Sequence, residues 1–119
     1  MTTTKEEFLW ACFHGQKSKV FTFLYDTDSN PGFGNNVAIV AASWANQIDI
    51  VKILLNDLRV NPADRDNMAI KRALSRGNFK VARELWNHPR VYKSFDQSFI
   101  TFAMENKESY LYDFGIKNT

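Results

Sequence analysis

The sequence predicts an all-α fold, a helical solenoid of about four helix-turn-helix repeats joined by short turns. Three observations predict it: a register that recurs every 31 residues, apolar residues at helical spacing inside each unit, and breaker residues at the same place in successive units.

The register is seen by laying Asn36-Val37-Ala38-Ile39-Val40-Ala41-Ala42 over Asn67-Met68-Ala69-Ile70-Lys71-Arg72-Ala73. It continues without a gap, so that Ile48 meets Phe79, Ile50 meets Val81, Leu54 meets Leu85, and Arg59-Val60 meets Arg90-Val91. One step back, Phe8 falls on Ile39, Ala11 on Ala42, Val20 on Val51, and Asn30-Pro31 on Asn61-Pro62. One step forward, Ile100 and Ala103 continue Ile70 and Ala73 with one residue deleted. Two short helices cannot bury an apolar face alone, and stacked neighbours supply the missing cover. The chain therefore reads as a single domain, 1–119, with repeats at about 4–34, 35–65, 66–95 and 96–119.

Within each unit the first helix starts near a polar cap (Asn36, Asp66, Asp96) and turns Ile39 and Ala42, or their counterparts, inward. In the first unit, Thr3 with Glu6 or Thr4 with Glu7 has capping-box spacing. A break follows at Gly15, Asn46 or Gly77, residue types that tolerate the left-handed conformation ending a helix. The second helix carries apolar residues at helical spacing, as in Ile48-Asp49-Ile50-Val51-Lys52-Ile53-Leu54-Leu55. Asn30-Pro31-Gly32 and Asn61-Pro62-Ala63-Asp64 then turn the chain, because proline cannot continue a helix. The helices are expected at 4–14, 17–26, 36–45, 48–57, 67–75, 79–87, 97–105 and 107–114.

Composition narrows the class. Ten Phe, four Tyr and three Trp within 45% hydrophobic residues give enough apolar area for a core without metals or disulfides. The net charge of +2 does not point to nucleic acid, and no apolar run approaches the ~18 residues of a membrane span. Cys12 is the only cysteine, and the N-terminus lacks the basic start and apolar stretch of a signal peptide. A cytoplasmic protein is expected, in the cytoplasm of a host cell if the protein is delivered there. With Met1 at one end and polar Lys117-Asn118-Thr119 at the other, it reads as a complete small protein.

Asn46-Gln47-Ile48-Asp49-Ile50-Val51-Lys52-Ile53-Leu54-Leu55 and Gly77-Asn78-Phe79-Lys80-Val81-Ala82-Arg83-Glu84-Leu85 resemble the Gly-His-x-x-Ile/Val-Val-x-x-Leu-Leu stretch of the ankyrin repeat family. Residues 61–70 resemble a divergent subtype found in arrays from amoebae, giant viruses and intracellular bacteria. The chain departs from the family where Val37-Ala38-Ile39-Val40 and Met68-Ala69-Ile70-Lys71 replace Thr-Pro-Leu-His. Its repeat is also about two residues shorter than the usual 33, so the projecting β-hairpin finger is expected to shrink to a plain turn. The resemblance implies a protein-interaction module, an adaptor or inhibitor that binds through its concave face. It also brings in a host-directed effector as one origin of such a chain.

No catalytic constellation competes with that reading. Cys12 and His14 are two residues apart on a helix and do not face each other. His14 and His88 lack neighbours at metal-ligand spacing, and Gly32-Phe33-Gly34 lacks the flanking strand and Lys-Ser/Thr of a phosphate loop. No enzyme activity, cofactor or metal is expected.

Helical phase turns Phe13, Trp44 and Ser75 away from the core, with His14 and Arg76 in the next column. In the ankyrin family these slots line the concave face together with the inter-repeat turns, which adds Phe33, Asn36, Asp64, Arg65, Asn67 and Phe95. Phe13 and Trp44 admit two readings, rings that seal the array or an exposed aromatic anchor. Trp10, Ala41, Arg72 and Phe102 form a further column expected to pack between neighbouring first helices. Residues 64–93 hold eight Lys and Arg against three acids, a local +5 that leaves −3 elsewhere. That cluster is either a solvated face or the dock for an acidic partner near Arg65, Arg72 and Arg76. The expected partner is another protein, with no nucleic acid and no membrane. A monomer is expected, or a homodimer formed through the very apolar first repeat, whose helices read Phe8-Leu9-Trp10-Ala11-Cys12-Phe13 and Val20-Phe21-Thr22-Phe23-Leu24-Tyr25.

Overall fold

A computed structural model describes residues 4–94, which form seven helices and, among those residues, no strand. They are α1 (Lys5–His14), α2 (Lys17–Tyr25), α3 (Phe33–Trp44), α4 (Ile48–Leu55), α5 (Asp64–Ser75), α6 (Phe79–Trp86) and α7 (Pro89–Tyr92). The all-helical expectation holds over these residues. Phe95, Asp96, the fourth unit and the expected helices 97–105 and 107–114 lie outside them.

Local signals set the helix ends. Of the two capping-box spacings in the sequence, Thr4 with Glu7 forms: the Glu7 N–H donates to Thr4 Oγ1 at 3.1 Å, and the Thr4 N–H donates back to the Glu7 carboxylate at 3.3 Å. Gly15, Asn46 and Gly77, 31 residues apart, take the left-handed conformation at φ 76, 61 and 75°. Each lets the chain leave a first helix and start a second one immediately. Gly32 serves a different purpose, because a Cβ there would lie 2.7 Å from the Arg59 carbonyl of the next connection.

The starts of α3 and α5 hold the main surprise. Each opens on three successive left-handed residues: Gly34, Asn35 and Asn36 in α3, and Arg65, Asp66 and Asn67 in α5. Right-handed helix resumes at Val37 and Met68, close to the expected starts. Asn36 and Asp66 are therefore left-handed turn residues and not the N-caps that the sequence predicts. This conformation costs L-residues about 1–2 kcal/mol each, least for Asn and Asp, which fill four of the six positions.

The first helices pack in series, α1 on α3 and α3 on α5, and the second helices follow as α2 on α4 and α4 on α6. Each pair closes on itself, so the buried side chains form one continuous core. Phe8, Ala11, Ile39, Ala42, Ile70 and Ala73 supply it from the first helices, and Val20, Val51, Leu54, Val81 and Leu85 from the second. Full burial of each large apolar side chain contributes about 1.5–3 kcal/mol. Phe8 stacks on Phe23 with centroids 4.0 Å apart, locking α1 to α2.

Polar straps recur with the same 31-residue step. The Gln47 Nε2–H donates to the Phe13 carbonyl, and the Asn78 Nδ2–H donates to the Trp44 carbonyl, each at 3.0 Å. The Arg59 guanidinium donates to the Ser29 and Leu24 carbonyls at 2.6 and 2.8 Å, and Arg90 donates to the Val60 carbonyl at 3.1 Å. Asp57 holds the Arg59 head at 2.8 Å, and this hydrogen bond keeps the Asp57 carboxyl below its ordinary range. One short helix, α7, stands where the sequence reads only a connection. Pro89 fits its first position, His88 Nδ1 accepts the Arg90 N–H at 3.2 Å, and Val91 is buried in the slot that Val60 fills one unit earlier.

Candidate functional site

The ends of the three first helices bring together a row of exposed rings and cations. Phe13 and Trp44, 31 residues apart, stack with centroids 5.7 Å apart and planes 26° apart. Phe13 is exposed and Trp44 half-buried. Arg76 extends the row from α5, with its guanidinium 3.9 Å from the Trp44 ring centroid. In the other direction, Phe13 meets the edge of His14 at 5.2 Å, and His14 stacks on Trp10 at 4.0 Å. The His14 Nδ1–H donates to the Trp10 carbonyl at 2.9 Å, which fixes the ring over the indole. Lys19, from α2, sits 5.5 Å above Trp10. The straps act directly beneath this row, because Gln47 and Asn78 grip the carbonyls of Phe13 and Trp44.

The Phe13–Trp44 pair is both packed and partly exposed. The rings seal the junction of two helix pairs, yet Phe13 and Trp10 keep 38% and 46% of their surface in solvent. Trp10 and Arg72 correct an expectation. At its described positions their column does not pack between first helices: Trp10 and Arg72 are exposed and Ala41 is half-buried, while Phe102 lies outside the described residues. The core slots are already filled by Ala11, Ala42 and Ala73, so the preceding residue is turned outward. Ser75 is exposed, its hydroxyl donating to the Arg72 carbonyl at 2.9 Å.

The turn residues form a separate group at the opposite ends of the same helices. Asn36 and Asn67 are buried and are not surface contacts. The Asn36 Nδ2–H donates to Asp64 Oδ2 at 2.9 Å, and its Oδ1 accepts the Asn61 N–H at 2.8 Å. Asn67 donates to Ser94 Oγ at 2.9 Å. Asp64 is half-buried, and the Asn36 hydrogen bond is the main reason its carboxyl lies below the ordinary range. Arg65 is exposed but strapped to the Gly34 carbonyl at 2.9 Å. Phe33 is half-buried between Phe8 and Phe23, at centroid distances of 6.2 and 6.3 Å, with Lys5 over it. The expected turn surface is thus largely internal bracing, while Phe13, His14, Trp44, Arg72, Ser75 and Arg76 lie outward near the other end. Sequence reasoning missed Lys19 and the full contribution of Trp10. The i, i+4 spacing of Trp10 and His14 was the available signal.

Cys12 is buried, and burial pushes its thiol up to about 12, which leaves it an inert core residue beside an outward His14. Among the described residues no three His, Cys, Asp or Glu side chains are grouped to hold a metal ion. No helix among them is long and apolar enough to cross a membrane. Comparison with models of protein families, with curated proteins and with solved structures returned no match.

Proposed function

We propose that this chain is an ankyrin-type helical solenoid that works as a protein-interaction module, not an enzyme, and that it contacts its partner through the row Trp10, His14, Phe13, Trp44 and Arg76. The observation that carries this reading is the exposure of large rings in a fixed, mutually stacked arrangement supported from below by repeated straps. Aromatic and arginine side chains held rigidly on helices lose little conformational freedom on binding and dominate interface energetics. The solenoid reading is supported by the 31-residue recurrence of left-handed breaks, buried alanines and straps.

The test is quantitative affinity purification with wild type and a Trp44→Ala, Arg76→Glu variant that keeps the wild-type far-UV circular dichroism. A specific partner should lose on the order of 2 kcal/mol or more of binding, roughly thirtyfold in affinity. Equal recovery of every partner by both proteins refutes the reading.

A second reading, self-association through the first repeat, has its own observation. Phe21 and Tyr25 stack at 5.9 Å on the outside of α2, with Tyr25 79% exposed. The equivalent positions are Lys52 on α4 with Asn56 at its C-cap, and Arg83 on α6 with Asn87 at its C-cap. An uncharged aromatic stripe tolerates its own copy, whereas charged faces repel. Light scattering decides: a dimer that Tyr25→Lys converts to monomer favours this reading, and a wild-type monomer removes it.

A further inference from the structure

Building on the interaction row just described, we infer that its partner is an acidic protein segment with an ordered pair of anchors, an apolar side chain over Phe13 and Trp44 and a carboxylate at Arg72 and Arg76. Two sets of observations lead there. The first is the state of the rings. Each of the two indoles already has a ring stacked on it and a cation over it: His14 and Lys19 for Trp10, Phe13 and Arg76 for Trp44. An incoming group therefore meets rings that already carry cations. Edges carry the positive part of the aromatic quadrupole, and nearby cations reinforce it. Such a surface favours carboxylates and carbonyl oxygens.

The second is the distribution of countercharge. The outer-face acids Asp49 and Glu84 already pair across repeat boundaries, with Lys17 at 3.0 Å and Lys52 at 3.9 Å, and Asp66 pairs with Lys71. Arg72 and Arg76, one turn apart and both exposed, have no carboxylate within salt-bridge distance among the described residues. Arg76 sits 3.9 Å from the Trp44 ring centroid and is still exposed, so its guanidinium remains open to a carboxylate, which it can receive bidentately.

Position gives the partner a direction. The apolar anchor sits at the junction of α1 and α3, and the guanidinium pair one helix further along, Arg72 on α5 and Arg76 at its C-cap. The Phe13 and Trp44 centroids are 5.7 Å apart and the Arg76 guanidinium is 3.9 Å from the Trp44 centroid, so the anchors match side chains up to about three residues apart in an extended segment.

The experiment is a random-peptide display selection on the full chain, with affinities of enriched peptides measured at ~50 and ~300 mM salt, where screening differs strongly. Enriched peptides should carry Asp or Glu within about three residues of a Leu, Phe or Trp and bind at least about tenfold more weakly at the higher salt. The Arg72→Glu, Arg76→Glu variant should lose them and enrich Lys or Arg at the same spacing. Peptides that need Trp44 but no acid, or that survive the charge reversal, overturn this inference and leave the interaction row standing. Failure to enrich any peptide dependent on Phe13 or Trp44 overturns both. Tighter binding of a single-stranded oligouridylate than of any selected peptide overturns the acidic-segment reading in favour of nucleic acid.

Discussion

Asn36 joins a left-handed backbone to a buried junction, and replacing it separates the two contributions. In Asn36→Ala the hydrogen bond to Asp64 and the one from the Asn61 N–H are both lost. A hydrogen bond to a charged group contributes about 1.5–3 kcal/mol, and the lower end applies because Asp64 is only half-buried. Leaving the half-buried Asn61 N–H unpaired adds about 1 kcal/mol. Alanine at φ 66° adds about another 1 kcal/mol, a cost that Asn largely avoids. The expected loss is about 3.5 kcal/mol, or roughly 10–20 °C in Tm for a domain of this size. Asn36→Gly loses the same hydrogen bonds but accepts the positive φ, so it should be about 1 kcal/mol more stable than the alanine variant. Urea unfolding followed by far-UV circular dichroism measures both. An alanine variant within about 1 kcal/mol of wild type refutes the bracing role, and equal alanine and glycine variants refute the conformational part. In either variant the Asp64 carboxyl should titrate closer to its ordinary value by NMR, since Asn36 is the first cause of its depression.

Three further outcomes follow from single features. Gly15→Ala should destabilise more than Gly77→Ala: both residues have positive φ, but a Cβ at 15 meets Gln47 Oε1 at 2.5 Å and disturbs the strap, whereas at 77 the nearest atom is 3.8 Å away. Equal melting temperatures would show that the strap is dispensable. Ser43→Ala should be neutral or stabilising by up to about 1 kcal/mol, because the Ser43 hydroxyl is buried without a hydrogen-bond partner among the described residues. Clear destabilisation would reveal a partner for that hydroxyl. His88 is held below its ordinary value of 6.5, first by burial and then by Arg90, so the fold favours the neutral ring. Its stabilising contribution is therefore present above about pH 6.5 and is lost as pH falls through the depressed value. His88→Asn keeps a helix-capping acceptor without the titration and should flatten the loss of urea stability between about pH 7 and 5; an unchanged slope places the pH dependence elsewhere.

Periodicity alone determined the helices. The 31-residue register and the spacing of Ile39, Ala42, Ile50 and Leu54 gave α1 to α6 to within a few residues, because burying one face of a short helix forces that pattern on the sequence. The breaks at Gly15, Asn46 and Gly77 were legible for a similarly local reason, since few residue types accept a positive φ. The left-handed turns before Val37 and Met68 were not legible. Asn-Asn and Arg-Asp-Asn are compatible with ordinary caps, and they become left-handed turns only through bonds across the repeat boundary, from Asn36 to Asp64 and from Arg65 to Gly34. The candidate site divides in the same way. Phase along one helix identified Phe13, Trp44 and Arg76 as outward. The packing of the helices on one another decided that these rings touch, that Arg76 lies over Trp44 and Lys19 over Trp10, and that Phe33, Asn36 and Asn67 turn inward. Such contacts join residues on different helices, and only the packed structure specifies distances between neighbouring helices.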